Sequence, residues 1–338
     1  MGFSVCDGAG RLAGAGMRRV GITIAVSLLI PLSVALGLIA SQRPGDMPGT
    51  GGIDFAGVAG LDLSAVPKAE AVLMRDGYLL QVRRYGDAGP LVVLVHGSGW
   101  HGMQFHALAP ALGARARVLV PDLRGHGAAP GVRGDVAYKG QFEDDLADLI
   151  AAERAPGQRV VMVGHSSGGG LVVRMAGGAH GALMDRAVLL APFLQHDAPM
   201  TRPNSGGWAK PLTRRIIGLS MLNTVGVHAL DGLVALQLDM PRAVKDGPLG
   251  HTVTDAYSWR LNQSFAPRRD WQADVASLPP FTLVAGSADR AFDAALYAPV
   301  LRDITDLGTY VTLPGVGHLD LVDAPATLAA IEAVLDGL

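Results

Sequence analysis

Residues 160–170 read Val160-Val161-Met162-Val163-Gly164-His165-Ser166-Ser167-Gly168-Gly169-Gly170. The four apolar residues suit a short strand buried on both faces, and they run straight into Gly-x-Ser-x-Gly and a helical stretch. A serine on a sharp strand-to-helix turn needs small residues two positions to either side, because the backbone closes on itself there. The helix that follows aims its free N–H groups and positive dipole end at the serine. In a chain with 45 glycines the motif alone carries little weight. The strand before it and the three successive glycines after it single out Ser166 as a nucleophile.

On either side of this stretch the pattern repeats. Continuously apolar runs at 91–95, 117–121, 160–163 and 187–190 each suit a strand covered on both faces, and two more apolar runs follow at 281–285 and 310–313. Helix-length stretches separate them. At 141–154, Phe142, Leu146, Leu149 and Ile150 share one face and acids fill the other. A helical pattern at 325–335 closes the chain. Upstream, Asp76-Gly77 sits between two strand-like runs, a hairpin signal. Alternation of this kind predicts an α/β fold with a mostly parallel, doubly wound sheet. The stretch 194–278 breaks the rhythm, with no clear buried strand, three of the four tryptophans and an amphipathic piece near 211–224. It reads as a cap inserted over the carboxyl ends of the strands, where ligands of such sheets bind.

A serine hydroxyl is a poor nucleophile until a base takes its proton, and a buried acid must hold that base in one tautomer. His318 follows the run at 310–313 in Leu313-Pro314-Gly315-Val316-Gly317-His318, and its position picks it from ten histidines. Asp289 follows the run at 281–285 in Gly286-Ser287-Ala288-Asp289-Arg290. The order Ser, Asp, His is the one this architecture uses. Asp293 and Asp197 are rivals for the acid, and Asp289 has a competing use as a helix cap before Ala291. The negative oxygen of a tetrahedral intermediate also needs two N–H donors. Ser167, directly after the nucleophile, supplies one, and Ser98 in His96-Gly97-Ser98-Gly99 supplies the other.

With these pieces the chain resembles the α/β-hydrolase superfamily, and within it the monoacylglycerol lipase and lysophospholipase group. The matching segments are HGSGWHGMQF (96–105), PDLRGHG (121–127), VGHSSGGG (163–170), GSADRAFD (286–293) and PGVGH (314–318). They span about residues 70–338. The resemblance implies a serine hydrolase for carboxylic esters. Its nucleophile, acid and base fall on Ser166, Asp289 and His318, and its oxyanion donors on Ser98 and Ser167. Ser167 stands where methionine is common in that group, and the cap 194–278 matches no stretch of it.

Composition sets the outer bounds. The 338 residues are 49% hydrophobic and 17% charged, which excludes a disordered chain. The formal charge of −2 offers no general attraction to nucleic acid. A single cysteine, Cys6, precludes an intrachain disulfide. His96, His101 and His106 recur at an interval of five, which suits neither one helix face nor a zinc site, so no metal and no cofactor are expected.

The organisation expected is a tail at 1–19, an apolar run at 20–40, a linker at 41–68 and a hydrolase domain at 69–338. The run 20–40 is uncharged and long enough to cross a bilayer as a helix. Arg11, Arg18 and Arg19 before it keep the N-terminus cytoplasmic and export the rest. A cleaved signal ending near Ala35-Leu36-Gly37 is the competing reading, leaving a secreted or periplasmic protein. Residues 42–60, rich in Gly and Pro, read as a flexible linker.

The function expected is hydrolysis of lipid-type acyl esters at a membrane. Two features favour lipid: the tether, and the stripe Leu212, Ile216, Leu219 flanked by Lys210, Arg214 and Arg215, placed for anionic head groups. A serine peptidase or amidase and a short-chain esterase of the same fold are alternatives. A more distant one is an NAD-binding oxidoreductase: Gly97-Ser98-Gly99-Trp100-His101-Gly102 fits a dinucleotide fingerprint, with Asp122 twenty residues on for a ribose.

Overall fold

The structure, a computed structural model, describes residues 27, 29–50, 52, 53 and 66–338. These divide into two compact units. One comprises the described residues up to Gly45 with Leu212–Asp231, and the other Asp46–Pro211 with Gly232–Leu338.

In the larger unit the apolar runs of the sequence become strands: β3 (Leu91–Val95), β4 (Arg117–Asp122), β5 (Val160–His165), β6 (Arg186–Leu190), β10 (Phe281–Gly286) and β11 (Gly308–Leu313). The hairpin at Asp76-Gly77 joins β1 (Glu70–Leu73) to β2 (Leu79–Tyr85), with Val72 opposite Leu80. All eight form one sheet in the order β1-β2-β4-β3-β5-β6-β10-β11, in which only the pairings of β2 are antiparallel. Every residue of β3 and β5 is buried, which is why their sequences show no alternation. Helices α1 (Leu108–Gly113), α2 (Gln141–Glu153) and α3 (Ser167–Ala176) cross between these strands. On α2 the residues Phe142, Leu146, Leu149 and Ile150 are buried, as the 3.6-residue period requires.

Because β3 lies between β4 and β5, the chain reverses its direction of advance there, and the loops after β3 and β5 diverge. Val95 pairs with Gly164, so those two loops leave the sheet side by side. Gly286 pairs with Leu313, which sets the loops after β10 and β11 together at the same edge.

The stretch between β6 and β10 departs from expectation in one respect. It contains a three-stranded antiparallel sheet, β7 (Ala209–Pro211), β8 (Val234–Leu238) and β9 (Ala256–Ser258). Strands of three to five residues with mixed polarity leave no readable period. The tryptophans there, Trp208, Trp259 and Trp271, are buried.

The supposed linker is also built into the larger unit where it is described. Gly49 N–H donates to Asp239 Oδ1 (2.7 Å), the Thr50 hydroxyl to Asp239 Oδ2 (3.0 Å), and Arg242 N–H to the Gly49 carbonyl (3.3 Å). Gly52 lies so close to the backbone of Gly206–Trp208 that a Cβ would come within 2.7 Å of it. Ile53, next along, is buried.

In the smaller unit, residues 29–40 are helical and pack on α4 (Thr213–Thr224). A Cβ on Gly218 would lie 2.5 Å from the Ala35 carbonyl, so the two backbones meet there. Arg214 is exposed and donates to the Ser41 carbonyl (3.0 Å), whereas Arg215 is buried and is not the surface charge that the sequence suggested. The expected span 20–40 falls partly outside the described residues, since 20–26 and 28 are not among them. Among the described residues no helix is long and apolar enough to cross a membrane.

Candidate active site

Ser166 ends β5 and starts α3 with φ 54° and ψ −122°, a conformation that a non-glycine residue holds only under constraint. The constraint is visible. Ser166 N–H donates to the Leu190 carbonyl (2.9 Å), and the Ser166 carbonyl accepts from Gly170 (3.1 Å) and Phe193 (2.9 Å). The neighbouring glycines allow it: a Cβ on Gly164 would meet the Gly168 carbonyl at 2.4 Å, and one on Gly168 the Val95 carbonyl at 2.2 Å.

The loops after β10 and β11 bring Asp289 and His318 into contact. His318 Nδ1–H donates to Asp289 Oδ2 at 2.6 Å, with both residues buried. A carboxylate only accepts, so the ring proton sits on Nδ1 and leaves the Nε2 lone pair free to take a proton. The second oxygen, Asp289 Oδ1, accepts from Ala291 N–H (2.7 Å) and Phe292 N–H (3.0 Å). The capping role and the histidine partner are thus compatible, one on each oxygen. Burial pushes the Asp289 carboxyl up, but the His318 ring and those two N–H groups outweigh it and hold it below the ordinary value. The rival acids have other places: Asp293 caps α7 (Ala294–Arg302), and Asp197 is exposed beside His196.

Ser166 and His318 line one cavity, together with Ser98, Trp100, Trp208 and Ile53. Among the described residues the Ser166 hydroxyl has no hydrogen-bond partner, so the bond from serine to imidazole is not made in this state. Such bonds tighten on substrate binding. The hydroxyls of Ser98 and Ser167 lie 2.5 Å apart, tying the loop after β3 to the first turn of α3.

Two further residues hold this arrangement, and no local pattern in the chain signals either role. His165 Nε2–H donates to the His318 carbonyl (3.0 Å), while its Nδ1 accepts from the Gln104 amide (2.6 Å). Gln104 Oε1 in turn accepts from Gly97 N–H (3.1 Å). Burial pulls His165 down to about 3, so the ring stays neutral and keeps one donor and one acceptor. His165 occupies the variable position of the serine motif, and Gln104 lies within the matched segment 96–105. Only the folded chain shows that they bridge three loops.

Of the spaced histidines, His96 Nε2 accepts from Leu123 N–H (3.0 Å), His101 Nε2 meets the Thr252 hydroxyl (2.8 Å), and His106 lines the cavity. Asp122 is engaged by Arg83 (2.8 Å) and by Gly102 N–H (2.9 Å), both on Oδ1. Asp122 is therefore a buried ion-pair residue rather than an open acid at the strand end. Trp100, within the glycine fingerprint, is buried as well.

The profile of the alpha/beta hydrolase family matches residues 92–331, more than two thirds of the length. The chain belongs to the alpha/beta hydrolase family. An uncharacterized protein of Mycobacterium tuberculosis is 26% identical over 194 residues, 52% of this hydrolase and 56% of that protein, so the match spans little more than half of that relative. A monoacylglycerol lipase of Mycolicibacterium smegmatis is 36% identical over 89 residues, covering 25% of this chain and 32% of that lipase. Among solved structures, a membrane phospholipase A described as a bacterial virulence factor superposes with a TM-score of 0.57 at 20% identity. That superposition covers 97% of this hydrolase and 98% of the phospholipase, and at such identity it speaks for the fold alone.

Proposed function

We propose that this hydrolase cleaves carboxylic esters through Ser166, His318 and Asp289, and that its substrates are lipid-type acyl esters met at a membrane. The observation that carries the reading is the 2.6 Å bond from His318 to Asp289 beside a strained Ser166 in one cavity. In the first step the Ser166 oxygen bonds to the ester carbonyl carbon and its proton passes to His318 Nε2. The carbonyl oxygen becomes an oxyanion held by the N–H groups of Ser98 and Ser167. Collapse breaks the bond to the alcohol, which leaves with the proton from His318. Water then repeats the sequence on the acyl-enzyme, releasing the acid and restoring Ser166. His318 is the base and then the acid, and Asp289 fixes its tautomer.

The lipid reading draws on three supports. The apolar run 20–40 suits a membrane tether, and Leu29, Ile30, Leu32, Val34 and Leu36 expose apolar surface on its helical part. One relative, matched over part of its length, is a monoacylglycerol lipase, and the sequence segments at the site resemble that group. Basic residues ahead of the run favour a catalytic unit outside the cytoplasm.

Labelling with a fluorophosphonate probe tests the chemistry, and esters of rising acyl length test the substrate. Label on the native protein but not on Ser166→Ala is the expected result, and equal label on both refutes it. A preference for acetyl esters moves the protein to the short-chain esterases. Retention of the full-length chain in washed membranes tests the tether, and release of a shorter chain indicates cleavage.

A further inference from the structure

Three consecutive N–H groups follow β3, those of Gly97, Ser98 and Gly99. The first donates to Gln104 Oε1 (3.1 Å), and the third donates to the phenol oxygen of Tyr257 (2.6 Å). Among the described residues, the N–H of Ser98 between them has no acceptor. The tripeptide is thus held at both ends with its middle donor free.

Tyr257 lies on β9, in the stretch between β6 and β10, and is 1% exposed. Its place is set from the other side by His126, of the segment 121–127. His126 Nδ1–H donates to the Arg124 carbonyl (3.0 Å), which leaves Nε2 as an acceptor, and the Tyr257 hydroxyl meets that nitrogen at 2.7 Å. The phenol therefore donates to His126, and its oxygen faces Gly99 as an acceptor. Burial keeps both groups uncharged: it drives His126 well below its ordinary value and Tyr257 upward. Thr254 N–H donates to the Gly99 carbonyl (3.1 Å), a second tie from the same stretch.

We propose that Tyr257, oriented by His126, is a positioning residue for the oxyanion site: it fixes the Gly99 peptide so that the Ser98 N–H faces the reacting oxygen. The assignment rests on the serine-hydrolase reading given above. A donor that is preorganised for charge developing in the transition state acts without reorganising, and a displacement of about 1 Å costs about a hundredfold in rate. Tyr257 touches no substrate, so its loss reaches kcat and leaves KM in place.

Tyr257→Phe removes the hydroxyl and little else. Against the full-length protein with a chromogenic ester, kcat falls by about ten- to a hundredfold with KM unchanged, as expected for a misplaced donor. Affinity for a trifluoromethyl ketone, which forms the oxyanion covalently, falls by the same factor. Hydrogen exchange in the peptide containing 97–99 speeds up in the variant whether or not any ester is turned over. If native protein hydrolyses nothing while this exchange change is present, the functional reading fails and the structural tie stands. Should Tyr257→Phe fail to fold, His126→Gln, which still offers an acceptor near the Nε2 position, is compared with His126→Leu, which does not. Recovery of kcat in the glutamine variant alone supports the assignment. Unchanged kcat and ketone affinity in folded Tyr257→Phe, or equal loss in both His126 variants, overturns it.

Discussion

Replacing Asp289 with asparagine isolates what the acid does, because the two side-chain oxygens have different partners. Oδ1 accepts two backbone N–H groups, at 2.7 and 3.0 Å, so in the variant the amide oxygen must stay there and the NH2 group must face His318. Two N–H groups cannot oppose each other at the 2.6 Å separation found at Oδ2. The imidazole then has to offer a lone pair at Nδ1 and carry its hydrogen on Nε2, the nitrogen that must receive the Ser166 proton. A base locked in the wrong tautomer costs on the order of 10⁴ in kcat, or about 5.5 kcal/mol at 1.36 kcal/mol per tenfold. Substrate binding does not involve Asp289, so KM stays within a few-fold. The fold survives because both backbone bonds to Oδ1 persist, and the lost charge-assisted bond is worth about 1.5–3 kcal/mol. Steady-state hydrolysis of a chromogenic ester gives kcat, the rate of fluorophosphonate labelling reports the nucleophile, and thermal unfolding reports the fold. A folded Asp289→Asn protein within about tenfold of native kcat refutes the tautomer account, since a loss of ~1.4 kcal/mol is too small for a blocked base.

The same carboxyl has a signature in stability against pH. Its folded-state pKa lies below the unfolded value of about 3.9, so it contributes stability that is complete above that value and lost as pH falls through the folded one. The gap in unfolding free energy between native protein and Asp289→Asn therefore narrows as pH falls below about 4, and a constant gap contradicts this. In Gly168→Ala the new methyl group would lie 2.2 Å from the Val95 carbonyl and 2.4 Å from that of His96, both backbone. Chemical denaturation is expected to show a loss of about 3 kcal/mol or more, against almost none for Gly45→Ala, where nothing lies within 4 Å. Ile53→Ala removes apolar wall from the catalytic cavity, so the ratio of kcat/KM for a longer over a shorter acyl ester rises by about tenfold for each methylene newly accommodated. An unchanged ratio across a chain-length series shows that the acyl group lies elsewhere.

The central sheet was legible because burial on both faces leaves an unbroken apolar signature, and the chain bears it at 91–95, 160–163 and 281–285. The positions of Ser166, Asp289 and His318 were legible because each lies in the loop or turn that follows a strand of the sheet. The sheet of β7, β8 and β9 was not, since its short strands pair across long stretches of chain and show no period. Arg215 misled for a different reason: a charge beside an apolar stripe reads as solvent-facing, yet here it is buried. His165, Gln104, His126 and Tyr257 were invisible as a group because hydrogen bonds between distant loops leave no local pattern. Residues 49, 50, 52 and 53 were the plainest misreading. Glycine and proline signal flexibility, but two bonds to Asp239 pin the strand of chain that carries Ile53.

That pinned strand bears on how the enzyme is cut for study. Composition invites a truncation at residue 69, ahead of the first sheet strand, to discard everything greasy or loose. Such a trimmed form loses Ile53 from the chamber around the nucleophile and leaves Asp239 without the two donors it holds from Gly49 and Thr50. Its chain-length selectivity belongs to a breached vessel, and rates gathered on it describe a different catalyst from the one whose wall includes Ile53.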